Sequence, residues 1–247
     1  MKIYYSKKPF ICFALIGLLA VACQPASQPE PSAAIASSAN QIAGKEETII
    51  KVQYNPLQHT PQQIQKIAVP ENVLKSIPLS NGKLLIFADK EQLVYGYQAD
   101  AGNFYKVGFI GSPVYLNEIT SGEAIVFGKS LIWVKGLAGA STMITDIIEV
   151  GKETVFPFLH LEKDILIVDV DQNEEKELLT LAGNPFPKFT VIKLGENGLV
   201  ELDINQALQA EQGIRYNPQS GSFTVSSPGI ETKTYRLEST GFHLNQN

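Results

Sequence analysis

Sulfur is almost missing from this sequence of 247 residues. Its two cysteines, Cys12 and Cys23, both stand at the extreme N-terminus. Beyond Cys23 there is no thiol, which excludes a disulfide framework, a thiolate nucleophile and a sulfur-rich metal site. Arginine is nearly as scarce, with only Arg215 and Arg236, and acids outnumber bases to give a formal net charge of −5. That balance argues against nucleic acid, anionic headgroups and arginine-clamped phosphates as partners. The three histidines, His59, His160 and His243, lie far apart, and none has a second histidine or cysteine at ligand spacing. They read as satisfied or exposed side chains. No serine sits in a nucleophile-elbow pattern. FGKS (127–130) fails as a phosphate loop: five residues separate Gly122 from Gly128 where the pattern has four, and no helix pattern follows.

Long apolar runs are also lacking. The longest, Phe10 to Ala22, covers 13 residues, whereas a helix that spans the bilayer needs roughly 20. It follows a basic head of Lys2, Lys7 and Lys8 and ends in Leu19-Ala20-Val21-Ala22-Cys23. This resembles the signal segment and lipobox of bacterial lipoproteins. The resemblance implies removal of residues 1–22, acylation of Cys23 and tethering of the mature chain to a membrane surface by lipid. Removing the three lysines leaves 17 bases against 25 acids, a formal charge of −8. Export would place the mature chain outside the cytoplasmic membrane. In a cell with two membranes, Gln24 after the acylated cysteine favours the outer one. From Cys23 to residue 45 the chain is rich in Pro, Ser, Ala and Gln with almost no large apolar side chain. It reads as a flexible linker.

Residues 46–247 are long enough for one sizeable core. Short segments rich in β-branched and aromatic residues recur throughout: KLLIFAD (83–89), EQLVYGYQ (91–98), NFYKVGFIG (103–111), EAIVFG (123–128), SLIWVKG (130–136), TMITDIIEV (142–150), DILIVDV (164–170) and FTVIKL (189–194). Asn81-Gly82 and Asn197-Gly198 supply strong hairpin signals. Only 56–68 and 203–212 suggest helical turns. The expected class is all-β.

The segments also repeat. NGKLLIFADKEQLVYGY (81–97) aligns with SGEAIVFGKSLIWVKG (121–136), and looser copies begin near Lys176 and Gly221. Units placed at Gly82, Gly122, Lys176 and Gly221 are 40, 54 and 45 residues apart. Periods of roughly 40 to 50 residues fit the blades of a small β-propeller of about four blades, with residues 48–54 free to complete the last blade. The competing architecture is a β-sandwich.

One stretch carries candidate chemistry. In DVDQNEEKELL (169–179), Asp169, Asp171, Asn173, Glu175 and Glu177 occupy positions 1, 3, 5, 7 and 9 of a loop between two strand patterns. Calcium takes six to eight oxygens, and alternate residues of a tight loop aim theirs at a common centre. An EF-hand is excluded by the strand flanks, by Glu174 in the glycine position and by Thr180 at position 12. The segment instead resembles the calcium hairpin of FG-GAP and VCBS-type propeller repeats, matching at positions 1, 3, 5 and 9 and in the trailing aliphatics. Glu174 is its departure. The resemblance implies Ca2+ held by the side chains of positions 1, 3, 5 and 9 and the carbonyl of Glu175.

No residue set here requires an enzyme. The expected function is a lipid-anchored extracytoplasmic binding or scaffold module, stabilised by Ca2+ and facing an envelope protein or glycan. Two competing classes are an envelope hydrolase working through carboxylates and a solute-capturing lipoprotein.

Overall fold

The computed structural model describes residues 49–60, 62–152, 154–183, 186–210, 213–226, 229 and 231–245. The expected signal segment 1–22, the acylated Cys23 and the linker to residue 45 lie outside them.

The apolar alternation produces four antiparallel sheets, formed in chain order. The described residues of 49–67 run past all four and contribute β1 (Ile49–Ile50), β2 (Asn55–Pro56) and β3 (Gln65–Ile67). The first sheet contains β4 (Val73–Leu79), β5 (Gly82–Asp89), β6 (Gln92–Ala99) and β7 (Phe104–Gly111). The second contains β8 (Thr120–Val126), β9 (Lys129–Leu137), β10 (Met143–Val150) and β11 (Val155–Leu161). The third contains β12 (Asp164–Val168), β13 (Glu177–Ala182), β14 (Lys188–Gly195) and β15 (Gly198–Asp203). After a single helical turn, α1 (Ile204–Ala207), the fourth contains β16 (Ile214–Asn217), β17 (Ser222–Val225), β18 (Lys233–Glu238) and β19 (Gly241–Asn245). Each set is an up-and-down meander, so each strand pairs with its neighbour in sequence. The protein is all-β, as the periodicity predicts.

Consecutive sheets share apolar cores. Leu84, Ile86, Leu93 and Tyr95 of the first meet Ile132, Val134, Ile144 and Ile148 of the second. Leu131 and Ile147 meet Ile165, Leu178 and Ile192 of the third. Leu179, Phe189 and Val191 meet Phe223, Leu237 and Phe242 of the fourth. Phe223 is the hub of that last core, edge-on to both Phe189 and Phe242. Between the first two sheets the backbones touch: Ser112 N donates to Leu137 O at 2.9 Å, and a Cβ on Gly136 would fall 2.0 Å from Ile110 O. Only glycine fits there.

The repeat is real but its phase differs from the expected one. The second strands β5, β9, β13 and β17 begin at residues 82, 129, 177 and 222, spacings of 47, 48 and 45. Gly122 lies inside the first strand of its sheet, whereas Gly82 opens the second strand of its own. Two hairpins of one meander look alike in sequence, and the alignment slipped by one strand.

Among the described residues of 56–68 there is no helical turn. Pro56 lacks an amide hydrogen, and the strap is held by strand pairing at three sheet edges and by one side chain at the second sheet. β1 pairs with β19, β2 with β15 and β3 with β7, in each case the last strand of a sheet. At the second sheet Gln62 makes the contact. Its Nε2 donates to Asp146 Oδ1 at 3.2 Å and stands 2.7 Å from His160 Nδ1, itself 2.5 Å from the same oxygen. The segment is therefore a strap that crosses the fourth, third, second and first sheets in turn. Residues 49–50 add a fifth strand to the fourth sheet rather than supplying a missing one. The predicted turn at 203–212 is present in shorter form, with Asp203 capping α1 by accepting from Gln206 N at 2.9 Å.

Candidate metal centre

The acidic loop joins β12 to β13, and its geometry follows from one buried residue. Val170 is 0 % exposed and belongs to the core between the third and fourth sheets. Its neighbours Asp169 and Asp171 must then turn the other way, side by side. Glu177 opens β13 opposite Val168, and its Oε2 accepts from Val170 N at 2.8 Å. One carboxylate oxygen from each of Asp169, Asp171 and Glu177 lies within 4.8 Å of the other two.

The turn itself is wound by side chain–backbone bonds. Asp169 accepts from Asn173 N at 3.1 Å and Glu174 N at 3.0 Å, and Asn173 Oδ1 accepts from Glu175 N at 2.7 Å. Of the five predicted ligands the structure thus brings three together. The side chains of Asn173 and Glu175 are exposed, and Asn173 also winds the turn through its Oδ1. Glu174 has φ +73°, the left-handed conformation that glycine takes more readily. The residue departs from the resembled pattern while the backbone keeps to it.

Three carboxylates face one ammonium. Lys193 Nζ on β14 is 3.9 Å from Asp171 Oδ2. Asp171 is 9 % exposed, and its Oδ1 is buried without a hydrogen-bond partner. Burial, then the negative charge of Asp171 and Asp169, pushes the Glu177 carboxyl up to about 7 against the opposing Val170 N–H bond. Burial and Asp169 raise Asp171, with Lys193 opposing. Such crowding is unfavourable for the bare carboxylates and is relieved by a cation. The donors are all hard oxygens, a set suited to calcium or magnesium rather than to softer metals. The orphaned Asp171 oxygen is the group this fit turns on.

Sequence reasoning missed three neighbours. Lys193 carries a positive charge that acts on both Asp171 and Glu177. Tyr54, on the strap, lays its ring 4.0 Å from the Lys193 ammonium, and its hydroxyl is raised by burial and by Asp171 and Glu177. Gln172 donates from Nε2 to Ser220 O in the β16–β17 turn at 3.5 Å. The loop therefore stands where the third sheet, the fourth sheet and the strap meet. Lys193, Tyr54 and Ser220 bear no motif; only the tertiary fold brings them to the loop.

No family model, curated protein or solved structure matches this chain. The resemblance to FG-GAP-type hairpins rests on the loop alone.

Proposed function

We propose that the chain is a lipid-anchored, extracytoplasmic binding or scaffold module whose β12–β13 loop holds a calcium ion. The observation that carries the cation is the convergence of Asp169, Asp171 and Glu177 around an unpartnered buried oxygen of Asp171. Asp169, Asp171 and Glu177 would hold the ion, with the remaining oxygens supplied by water or backbone. Its contribution is structural: it offsets mutual repulsion in a loop that joins two sheets.

Four meanders of similar length, packed successively along the chain, support a small propeller-like arrangement. The order of the cores, first with second, second with third, third with fourth, is common to such a ring and to an open succession of sheets. The membrane link is carried by the lipobox ending in Cys23, and the partner is an envelope protein or glycan brought to high local concentration by the anchor.

Calorimetric titration of the mature chain with calcium tests the ion, and Asp169→Ala with Asp171→Ala test its role. Loss of stability alone supports scaffolding. Loss of a turnover with the fold intact would favour the carboxylate hydrolase. Labelling of intact cells with a radioactive fatty acid, compared with Cys23→Ser, tests the anchor; equal labelling of both would remove it.

A further inference from the structure

The strap and the acidic loop share one residue. Tyr54 lies between the strap's contacts with the fourth sheet (Ile49–Ile50) and the third (Asn55–Pro56, with Leu57 N donating to Leu199 O at 2.9 Å). Its ring, in the same core as Ile50 and Val52, lies 4.0 Å from Lys193 Nζ, which is 3.9 Å from Asp171 Oδ2. A single ammonium thus serves two clients, the strap's aromatic ring and the carboxylate cluster.

We propose that cation binding at Asp169, Asp171 and Glu177 controls how firmly the N-terminal strap is docked on the third and fourth sheets. This inference rests on the cation reading above. Without the ion, three acids draw on one lysine, and the strap covers a loop with excess negative charge. With the ion, the carboxylates are neutralised and Lys193, half-buried, is left to the face of Tyr54, where an ammonium is attracted to the ring. The loop beneath the strap also loses its self-repulsion. Both effects tighten residues 49–57 against the sheets. The far end of the strap, Gln62 and Gln65–Ile67, is held by the second and first sheets through other residues and does not respond.

The strap is where the leading chain joins the folded body. Release of residues 49–57 adds nine residues to that connection, up to about 30 Å of extended reach.

Amide hydrogen exchange on the mature chain, read in parallel with calcium calorimetry, tests this. Saturating calcium is expected to slow exchange of the Leu57 amide and its strap neighbours at least tenfold, while the amides of Gln65–Ile67 change by less than twofold. Tyr54→Ala is expected to bind calcium with similar heat but to lose that protection. Lys193→Gln provides a second variant should Tyr54→Ala fail to fold: without the competing ammonium beside Asp171 it is expected to bind calcium more tightly, yet to lose the protection of Leu57. Calcium binding with unchanged Leu57 exchange overturns the coupling and leaves the cation site standing. No heat of binding overturns both.

Discussion

The backbone N–H of Val170 donates to Glu177 Oε2 at 2.8 Å across the mouth of the β12–β13 loop. This bond fixes a 3 %-exposed carboxylate beside Asp169 and Asp171, and the pH behaviour of the loop follows from it.

In the absence of metal, stability should fall as pH rises. Glu177 titrates near 4.5 when unfolded and near 7 when folded. A raised folded value means its contribution is full below about 4.5 and is lost as pH climbs to about 7. The shift corresponds to on the order of 3 kcal/mol. Urea unfolding in chelator at pH 4.5, 6 and 7.5 should trace this loss, and Glu177→Gln should flatten the trace. Calcium at pH 7.5 should restore the stability of the wild type but not of the variant.

Glu174→Gly should stabilise the loop. The native φ of +73° costs a non-glycine residue roughly 1 kcal/mol, partly offset by the greater unfolded-state freedom of glycine. The expected net gain is about 0.5 kcal/mol, read as a rise in urea midpoint. Calcium affinity should increase severalfold through better preorganisation, read by calorimetry.

The strap's other anchor responds to a different pair. His160 is raised by its hydrogen bond to Asp146, against the cost of burial. Its contribution is complete below about pH 6.5 and declines as pH rises through the folded value. His160→Ala leaves Asp146, 2 % exposed, with the longer Gln62 contacts at 3.2 and 3.4 Å and the neighbouring Tyr95 hydroxyl. Loss of about 2 kcal/mol is expected at pH 6, with a smaller loss at pH 8.5 and faster amide exchange around Gln62 at both.

Phe223→Ala should cost about 3–5 kcal/mol. The ring is fully buried and touches Phe189 of the third sheet as well as Tyr216 and Phe242 of the fourth. Tryptic cleavage should concentrate in residues 213–245 if the fourth sheet loosens first, at sites such as Arg215 and Lys233.

Strands were legible wherever β-branched and aromatic residues run together, as in Lys83–Asp89 or Asp164–Val168, because the pleat imposes its own period. The pairing of Asp169 with Asp171 was equally legible from alternation around Val170. Repeat phase was not, since every hairpin of a meander carries the same pattern. The strap escaped notice because proline and glutamine have little strand preference; residues 55–67 are extended only where sheet edges accept them. Lys193 and Tyr54 reach the acidic loop from 22 residues after Asp171 and 117 before it, and no local pattern encodes such a meeting.

The most direct test of the cation site is calcium calorimetry on the wild type beside Asp171→Asn. One ion per chain is predicted for the wild type at neutral pH, with binding at least tenfold weaker in the variant, which keeps the shape of the side chain but not its charge. Absence of heat from the wild type, or equal affinity in both proteins, would contradict it.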